Sequence, residues 1–303
     1  VGKRMGARAS DRYLSARPFF HVAGSTLSIV LSCVHQITLV TMQRFVAEKA
    51  LRILETEKCT LTSGNDTMFL MMLGCETFTK SGYDLRGSWA AVSGPLLKRI
   101  VNEFEAGETV TGYGLSEASP NIATSDFRDS LEDRAAGWMH VHDGLDVRIV
   151  DADIGSILEA SQKGEIQVRG WCVMKGYYDD PEATAATMTQ DGFLKTGDLG
   201  MLDEQGRLAF VGRLKEIIRV GGENVAPSEL ENVLHQHPDI LQAQVFALPD
   251  PRLIEVPTAY VLARENCDIS AEQIQEWLRP KLAGFKMPRY VKVIDSFESI
   301  GIT

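Results

Sequence analysis

The densest chemistry in the chain lies in Thr111-Gly112-Tyr113-Gly114-Leu115-Ser116-Glu117. A hydroxyl beside a carboxylate, on a glycine-shaped loop after an apolar run, can meet a phosphate and its Mg²⁺ together. A bare Gly-Tyr-Gly is more often a plain turn, and Ser116-Glu117 directly behind it tips the balance toward a ligand. A second group is Lys195-Thr196-Gly197-Asp198-Leu199-Gly200. A carboxylate on a tight glycine turn can accept two hydrogen bonds from a vicinal diol, although for Thr-Gly-Asp alone a solvated hairpin turn is the better reading. The third is the run from Gly212 to Pro227, where Arg213, Lys215, Glu216 and Arg219 interleave with Leu214, Ile217, Ile218 and Val220 ahead of Gly221-Gly222. Neither a core nor a plain linker is written that way. The pattern predicts a strand end, a pivot and a loop whose charges face a ligand. The fourth is Pro18-Phe19-Phe20-His21-Val22-Ala23-Gly24, in which a lone His among aromatics is more often a satisfied core residue than a ligand.

The elements that must position these groups follow from periodicity. From Phe45 to Lys58, Val46, Ala50, Ile53 and Leu54 recur between charges, which predicts an amphipathic helix. The most apolar stretch, residues 26–42, is interrupted by Ser32, His35 and Gln36, so it predicts a buried helix and not a membrane span. Short apolar runs such as Trp89-Ala90-Ala91-Val92 alternate with helical patterns, as in an α/β layer. After about Arg134, strands are expected at 146–150, 165–169 and 207–211, with turns at Lys163-Gly164 and 203–206, making a small antiparallel sheet or barrel. Beyond Lys215 a helix over 228–235, strands at 242–248 and 258–263, a helix over 270–282 and a strand at 290–294 predict a compact α+β unit. The expected division is an α/β portion over 1–133, a β subdomain over 134–213 and an α+β domain over 214–303, joined by a hinge.

Composition narrows the function classes. A chain of 303 residues with 44% apolar and 24% charged residues can bury a substantial core. A net charge of −10 argues against broad nucleic-acid binding, which needs a basic face, but not against a nucleotide ligand. Cys33, Cys59, Cys75, Cys172 and Cys267 form no C-x-x-C pair, which favours free thiols in a reducing compartment over a disulfide framework or a zinc site. No nucleophile elbow or internal repeat is present.

In this order and spacing the motifs resemble the adenylate-forming, AMP-binding superfamily of acyl-CoA synthetases and acid–CoA ligases, over nearly the whole chain. The resemblance implies the C-terminal part of a large α/β domain with a β-barrel-like subdomain, then a small mobile α+β domain. It implies activation of a carboxylic acid, a fatty acid on overall resemblance, by ATP and Mg²⁺ to acyl-AMP, followed by thioester formation with CoA. Tyr113 would stack on adenine, with Gly94 and Gly114 beside the nucleotide, Ser116 on phosphate and Glu117 on Mg²⁺. Asp198 and Arg213 would hold the ribose. Lys215 would be the hinge, with Arg219 and Asn224 reaching the adenylate. Gly221, Gly222 and Glu223 would border the CoA arm, and His21 and Gly112 the acyl site. The location implied is cytoplasmic or peripheral to a membrane, without a transmembrane segment.

The chain also departs from the family pattern. Ser116 replaces the usual Thr, Phe193 the usual Trp, and the loop at Val92-Ser93-Gly94-Pro95 is one residue short. Ile254 stands where Gly normally precedes the Glu at 255, which should crowd a turn. The phosphate-clamping loop and the terminal catalytic lysine have no counterpart, which implies an internal and C-terminal fragment with little adenylation activity alone. Three other readings stay open: transfer to a carrier protein or another acceptor, a non-catalytic nucleotide-binding module, and an unrelated α/β protein.

Overall fold

The computed structural model describes residues 1–264 and 267–297. The terminal stretch expected to lead up to the catalytic lysine, 298–303, lies outside the described residues. The chain forms two compact units, one of Val1–Thr196 with Gly200–Phe210, the other of Gly197–Leu199 with the described residues that follow Phe210.

Four parallel strands open the first unit: β1 (Arg12–Ser15), β2 (Thr38–Thr41), β3 (Leu61–Asn65) and β4 (Gly87–Ala91), in the order β2-β1-β3-β4. Parallel neighbours need crossovers, and helices supply them. Between β1 and β2 run α1 (Val22–Gly24), a π-helical stretch over Ser25–Val30 and α2 (Leu31–His35). Helix α3 (Ala47–Thr56) leads to β3, α4 (Asp66–Leu73) follows β3, and α5 (Gly94–Glu103) follows β4. Helix α3 forms because Ala47, Ala50, Leu51 and Leu54 recur at three- and four-residue spacing and are all buried. Alternate strand residues serve two cores. Leu14 and Ala90 pack with Phe69, Ile100 and Phe104, whereas Tyr13 and Trp89 pack with Leu27 and Leu31.

The helix expected over 26–42 ends early. Gln36 takes a left-handed backbone (φ 56°), and Thr38–Thr41 is β2. The β-branched residues at Ile37, Thr38, Val40 and Thr41 favour a strand, so the apolar stretch belongs to two elements.

The second sheet contains β5 (Gly112–Tyr113), β6 (Ala123–Thr124), β7 (Met139–Val141), β8 (Leu145–Val150), β9 (Gly164–Gly170), β10 (Leu194–Leu202) and β11 (Arg207–Arg213), ordered β5-β6-β7-β11-β10-β9-β8. Two short helices, α6 (Leu131–Ala135) and α7 (Pro181–Thr187), begin at Ser130 and Asp180, whose side chains accept from Asp133 N and Ala183 N. Phe193, which replaces the usual Trp, lies between Arg148 and Arg169, with guanidinium carbons 3.9 and 4.5 Å from its centroid. A polar chain ties β4 to β6 and the end of β7. Trp89 Nε1 donates to Asn121 Oδ1 (3.3 Å), Thr124 Oγ1 donates to the same oxygen (3.1 Å), and His142 Nε2 lies 3.1 Å from Thr124 Oγ1. Burial, with Arg4 nearby, lowers the His142 pKa from 6.5 to about 4.

The second unit is built on β12 (Ile218–Val220), β13 (Glu223–Val225), β14 (Ile240–Asp250), β15 (Ile254–Ala263) and β16 (Tyr290–Ile294). Strand β15 pairs with β14 along its length and, in succession, with β12 and β16. Helix α8 (Pro227–Leu234) starts on a proline, and α9 (Ala271–Leu278) starts on a Ser270–Gln273 capping box. Leu230, Leu234, Ile274 and Leu278 bury against Val245, Ala259 and Val261. Strand β14 runs on past the expected end at 248 through Asp250, and the turn to β15 falls at Pro251-Arg252-Leu253. Asp250 Oδ1 accepts from Arg252 N and Leu253 N, and Ile254 follows at φ 75°.

Two predictions arise from these features. A left-handed backbone costs an L-residue roughly 1–2 kcal/mol, more than glycine's extra chain entropy. Ile254 is 64% exposed and packs little, so Ile254→Gly should stabilise the fold by about 0.5–1 kcal/mol, read as a higher unfolding midpoint in a denaturant titration. A lower midpoint contradicts the strain. Because the folded-state pKa of His142 is depressed, its contribution is complete above about pH 6.5 and is lost as the pH falls toward 4. Stability should drop by about 1–3 kcal/mol across that window. His142→Gln should flatten the drop, and an unchanged slope rules the contribution out.

Candidate active site

The Thr111–Glu117 motif forms β5, an extended link through Gly114 and Leu115, and a 3₁₀ turn over Ser116–Ala118. Any Cβ on Gly114 would collide with the Pro120 carbonyl, so only glycine lets the loop double back on itself. Tyr113 is buried, and its ring stacks on Phe210 with centroids 5.2 Å apart and planes at 18°. One face of that ring is thus already covered. Ser116 is exposed and Glu117 half-buried.

Glu117 is held from two sides. Tyr177 Oη donates to its Oε1 (2.9 Å), and Met174 N donates to its backbone carbonyl (2.8 Å). The hydrogen bond to Glu117 raises the Tyr177 pKa, which keeps the phenol protonated as a donor. Ser119 Oγ donates to Cys172 O (2.9 Å), tying the same loop to the same segment. Among the described residues no group of three or more His, Cys, Asp or Glu is placed to hold a metal ion. A lone carboxylate still suits Mg²⁺, which is usually held by one or two carboxylates with water and substrate phosphate oxygens completing its shell.

The flanking glycines have packing reasons of their own. A Cβ on Gly112 would meet Trp89 Nε1 and Asn121 Oδ1, each at 2.6 Å, and one on Gly94 would strike the Ala135 carbonyl. His21 caps α1, with its Nδ1 accepting from Ala23 N (3.1 Å), and a Cβ on Gly24 would strike the Pro18 carbonyl. The Pro18–Gly24 motif therefore has a local explanation, and the His21 side chain is exposed.

In the second unit, Arg213 Nε lies 3.0 Å from Asp198 Oδ1. Asp198 is 1% exposed, and a buried carboxylate is tolerated only with such a partner. The tight turn expected around Asp198 is not there. Asp198 lies inside the nine-residue strand β10, where Thr196, Asp198 and Gly200 are the inward, buried positions and Gly197 takes a positive φ of 68°. Lys215 is exposed on a 3₁₀ turn, Leu214–Glu216, between β11 and β12.

The Gly-Gly that reads as flexible in the sequence is a two-residue hairpin turn. Gly221 and Gly222 have φ of 58° and 96°, the doubly positive geometry that fits the twist of β12 and β13. Register places Arg219 directly opposite Asn224 and Val220 opposite Glu223. Arg219, Glu223 and Asn224 are exposed, and Arg219 N donates to Glu255 Oε2 (2.7 Å). Sequence reasoning missed Tyr177, Phe210, Asn121 and His142. Tyr177 acts across 60 positions, a separation at which no local spacing signals a contact.

Known proteins share this architecture. The mitochondrial medium-chain acyl-CoA ligase ACSF2 of Rattus norvegicus is 34% identical over 98% of this chain and 50% of its own length. The ATP-bound MatB of Rhodopseudomonas palustris matches with a TM-score of 0.87 at 25% identity, covering 98% of this chain and 59% of that one. The o-succinylbenzoate CoA synthetase MenE of Bacillus subtilis, in complex with an acyl-adenylate intermediate, gives 0.81 at 30% identity, covering 98% and 60%. The chain thus spans about half the length of the curated relatives it matches. Residues 1–178 match the AMP-binding enzyme family and residues 229–301 the AMP-binding enzyme C-terminal domain. The chain belongs to the AMP-binding enzyme family.

Proposed function

We propose that the chain carries the adenylate- and CoA-handling part of an acid–CoA ligase. The observation that supports this most directly is the exposed Ser116 beside Glu117, on a loop whose shape needs Gly114 and whose carboxylate is oriented by Tyr177. In this reading a substrate carboxylate attacks the α-phosphorus of ATP, pyrophosphate leaves, and the CoA thiol then displaces AMP. Ser116 donates to phosphate, and Tyr113 with Gly94 and Gly114 borders the base. Glu117 would hold Mg²⁺, which when bound would supply neutralisation of the charge on the phosphates. Asp198, kept in place by Arg213, accepts from the ribose hydroxyls. Lys215 is the pivot between the two half-reactions, and the Arg219–Asn224 hairpin presents Gly221, Gly222 and Glu223 to CoA.

An aliphatic, fatty-acid-like substrate is proposed from the medium-chain ligase relatives, with His21 and Gly112 at its pocket. All five cysteines are free, which suits a reducing, cytoplasmic setting, and no helix of the described residues is long and apolar enough to cross a membrane. Transfer to a carrier protein is the nearest rival.

The test is ATP-dependent thioester formation, with CoA and with an acyl carrier protein as acceptors, by the protein at the full length of its relatives. Product with CoA is expected, and transfer to the carrier alone would replace CoA in the proposal. Glu117→Gln should slow acyl-AMP formation by about 10²-fold or more, since a group stabilising phosphate charge is removed. A near-wild-type rate takes Glu117 out of the metal role. Asp198→Asn in the present chain should weaken AMP binding by about tenfold, a charge-assisted hydrogen bond's worth, as read by calorimetry. Equal affinity removes Asp198 from the ribose site.

A further inference from the structure

Arg17, at the end of β1, carries a charge that has no acid beside it. Its guanidinium stacks on Trp89, 4.6 Å from the ring centroid. Its Nε donates to Ser63 Oγ (3.1 Å) and one terminal nitrogen points at Gly64 O (3.4 Å). Those contacts use two of five N–H donors. The other inward arginines are better satisfied. Arg86 meets Asp11 and Glu108, Arg4 meets the carbonyls of Thr124, His140 and Val141, and Arg134 meets those of Gly107 and Thr109. Among the described residues no carboxylate lies within ion-pair distance of Arg17.

What surrounds Arg17 is neutral and polar. Ser15 Oγ and Ser28 Oγ are 2.7 Å apart, and both residues are buried, as are Ser63 and Tyr13. The Tyr13 hydroxyl lies near Ser28 and Ser63 but makes no hydrogen bond of good geometry. Burial raises its pKa, so it stays a neutral phenol and supplies no negative charge. Ser28 comes from the π-helical stretch Ser25–Val30, and π-turns concentrate at functional sites. Arg17 is half-buried, and a charge drawn partly out of water is stabilised by a counter-charge. Here the hydroxyls orient the guanidinium without neutralising it.

Trp89 lies between Arg17 and the candidate loop. One face of the indole carries Arg17, and its Nε1 edge abuts Gly112, at the start of the loop with Ser116 and Glu117. A ligand reacting at the loop and reaching past the indole would place its far end at Arg17. A planar guanidinium is suited to a carboxylate held by two parallel hydrogen bonds. We propose that Arg17 recognises a second anionic group on the acid substrate, so that the preferred substrates are aliphatic acids with a carboxylate at each end. This rests on the acid-activating reading above.

The experiment measures binding of adipate, monomethyl adipate, hexanoate and AMP to this chain by calorimetry, with tryptophan fluorescence as a second readout. Adipate should bind at least about tenfold more tightly than hexanoate or the monoester, the increment expected of a charge-assisted pair. Arg17→Met should abolish that preference while leaving AMP and hexanoate affinities unchanged. Arg17→Lys, which keeps the charge and loses the fork, should retain part of it, and thermal melts verify that each variant is folded. Equal binding of adipate and hexanoate with AMP bound normally overturns the two-carboxylate assignment and leaves acid activation standing. Full adipate preference in a folded Arg17→Met or Arg17→Lys variant also overturns it. Failure of the wild-type chain to bind AMP overturns the acid-activating reading and this inference with it.

Discussion

The parallel sheet of the first unit sets the terms for everything placed on it. Parallel strands must be crossed by helices and covered on both faces, so the loops that remain free collect at strand ends. The candidate residues follow from this. Arg17 and His21 come directly after β1, Ser63 and Gly64 close β3, and Gly94 follows β4. Gly112 continues a segment whose Val110 bridges in parallel to Trp89. In open α/β sheets, ligands bind outside the carboxyl ends of the strands. Residues distant in sequence are therefore delivered to one edge by topology, with no need for long-range pairing between their side chains.

Electrostatics divides these groups into two kinds. Asp198 and Arg86 are taken out of water with their partners already present, Arg213 in one case and Asp11 with Glu108 in the other. Their geometry is fixed before any ligand arrives. Glu117 and Arg17 are held by neutral hydroxyls, the Tyr177 phenol and the Ser63 side chain, which orient a charge and leave it uncompensated. The first kind gives rigidity. The second gives a place where an opposite charge is still worth binding.

Much of this was legible from residue order. The amphipathic helix at α3, the proline opening α8, the strands β8, β9, β11 and β16, and the Ser116–Glu117 loop all have local signatures in period, caps or turn residues. Ile254 stands where the family pattern has glycine, and its φ of 75° supplies the physical reason. What was misread had misleading local chemistry. Thr196-Gly197-Asp198 looks like a turn because Gly and Asp favour turns, yet period-two burial runs through it with a charged residue at an inward position. The stretch at 26–42 looked like one helix because apolar content does not mark where φ turns positive at Gln36. Tyr177, Asn121 and His142 carry no local signature because each contacts a residue far away in sequence, at separations of 60, 32 and 18 positions.

The two-residue turn at Gly221-Gly222 has a consequence for how this segment can vary. With no spare residue in the bend, Arg219 and Asn224 are locked opposite each other and displace as one piece. A side-chain period of two means that a single insertion or deletion would slip the pairing and send one strand's outward residues to the other face. Diversification of this hairpin is therefore confined to swaps of residue type at fixed length. Natural variants with a longer tip should be rare, and those that exist should carry a compensating bulge in β12 or β13.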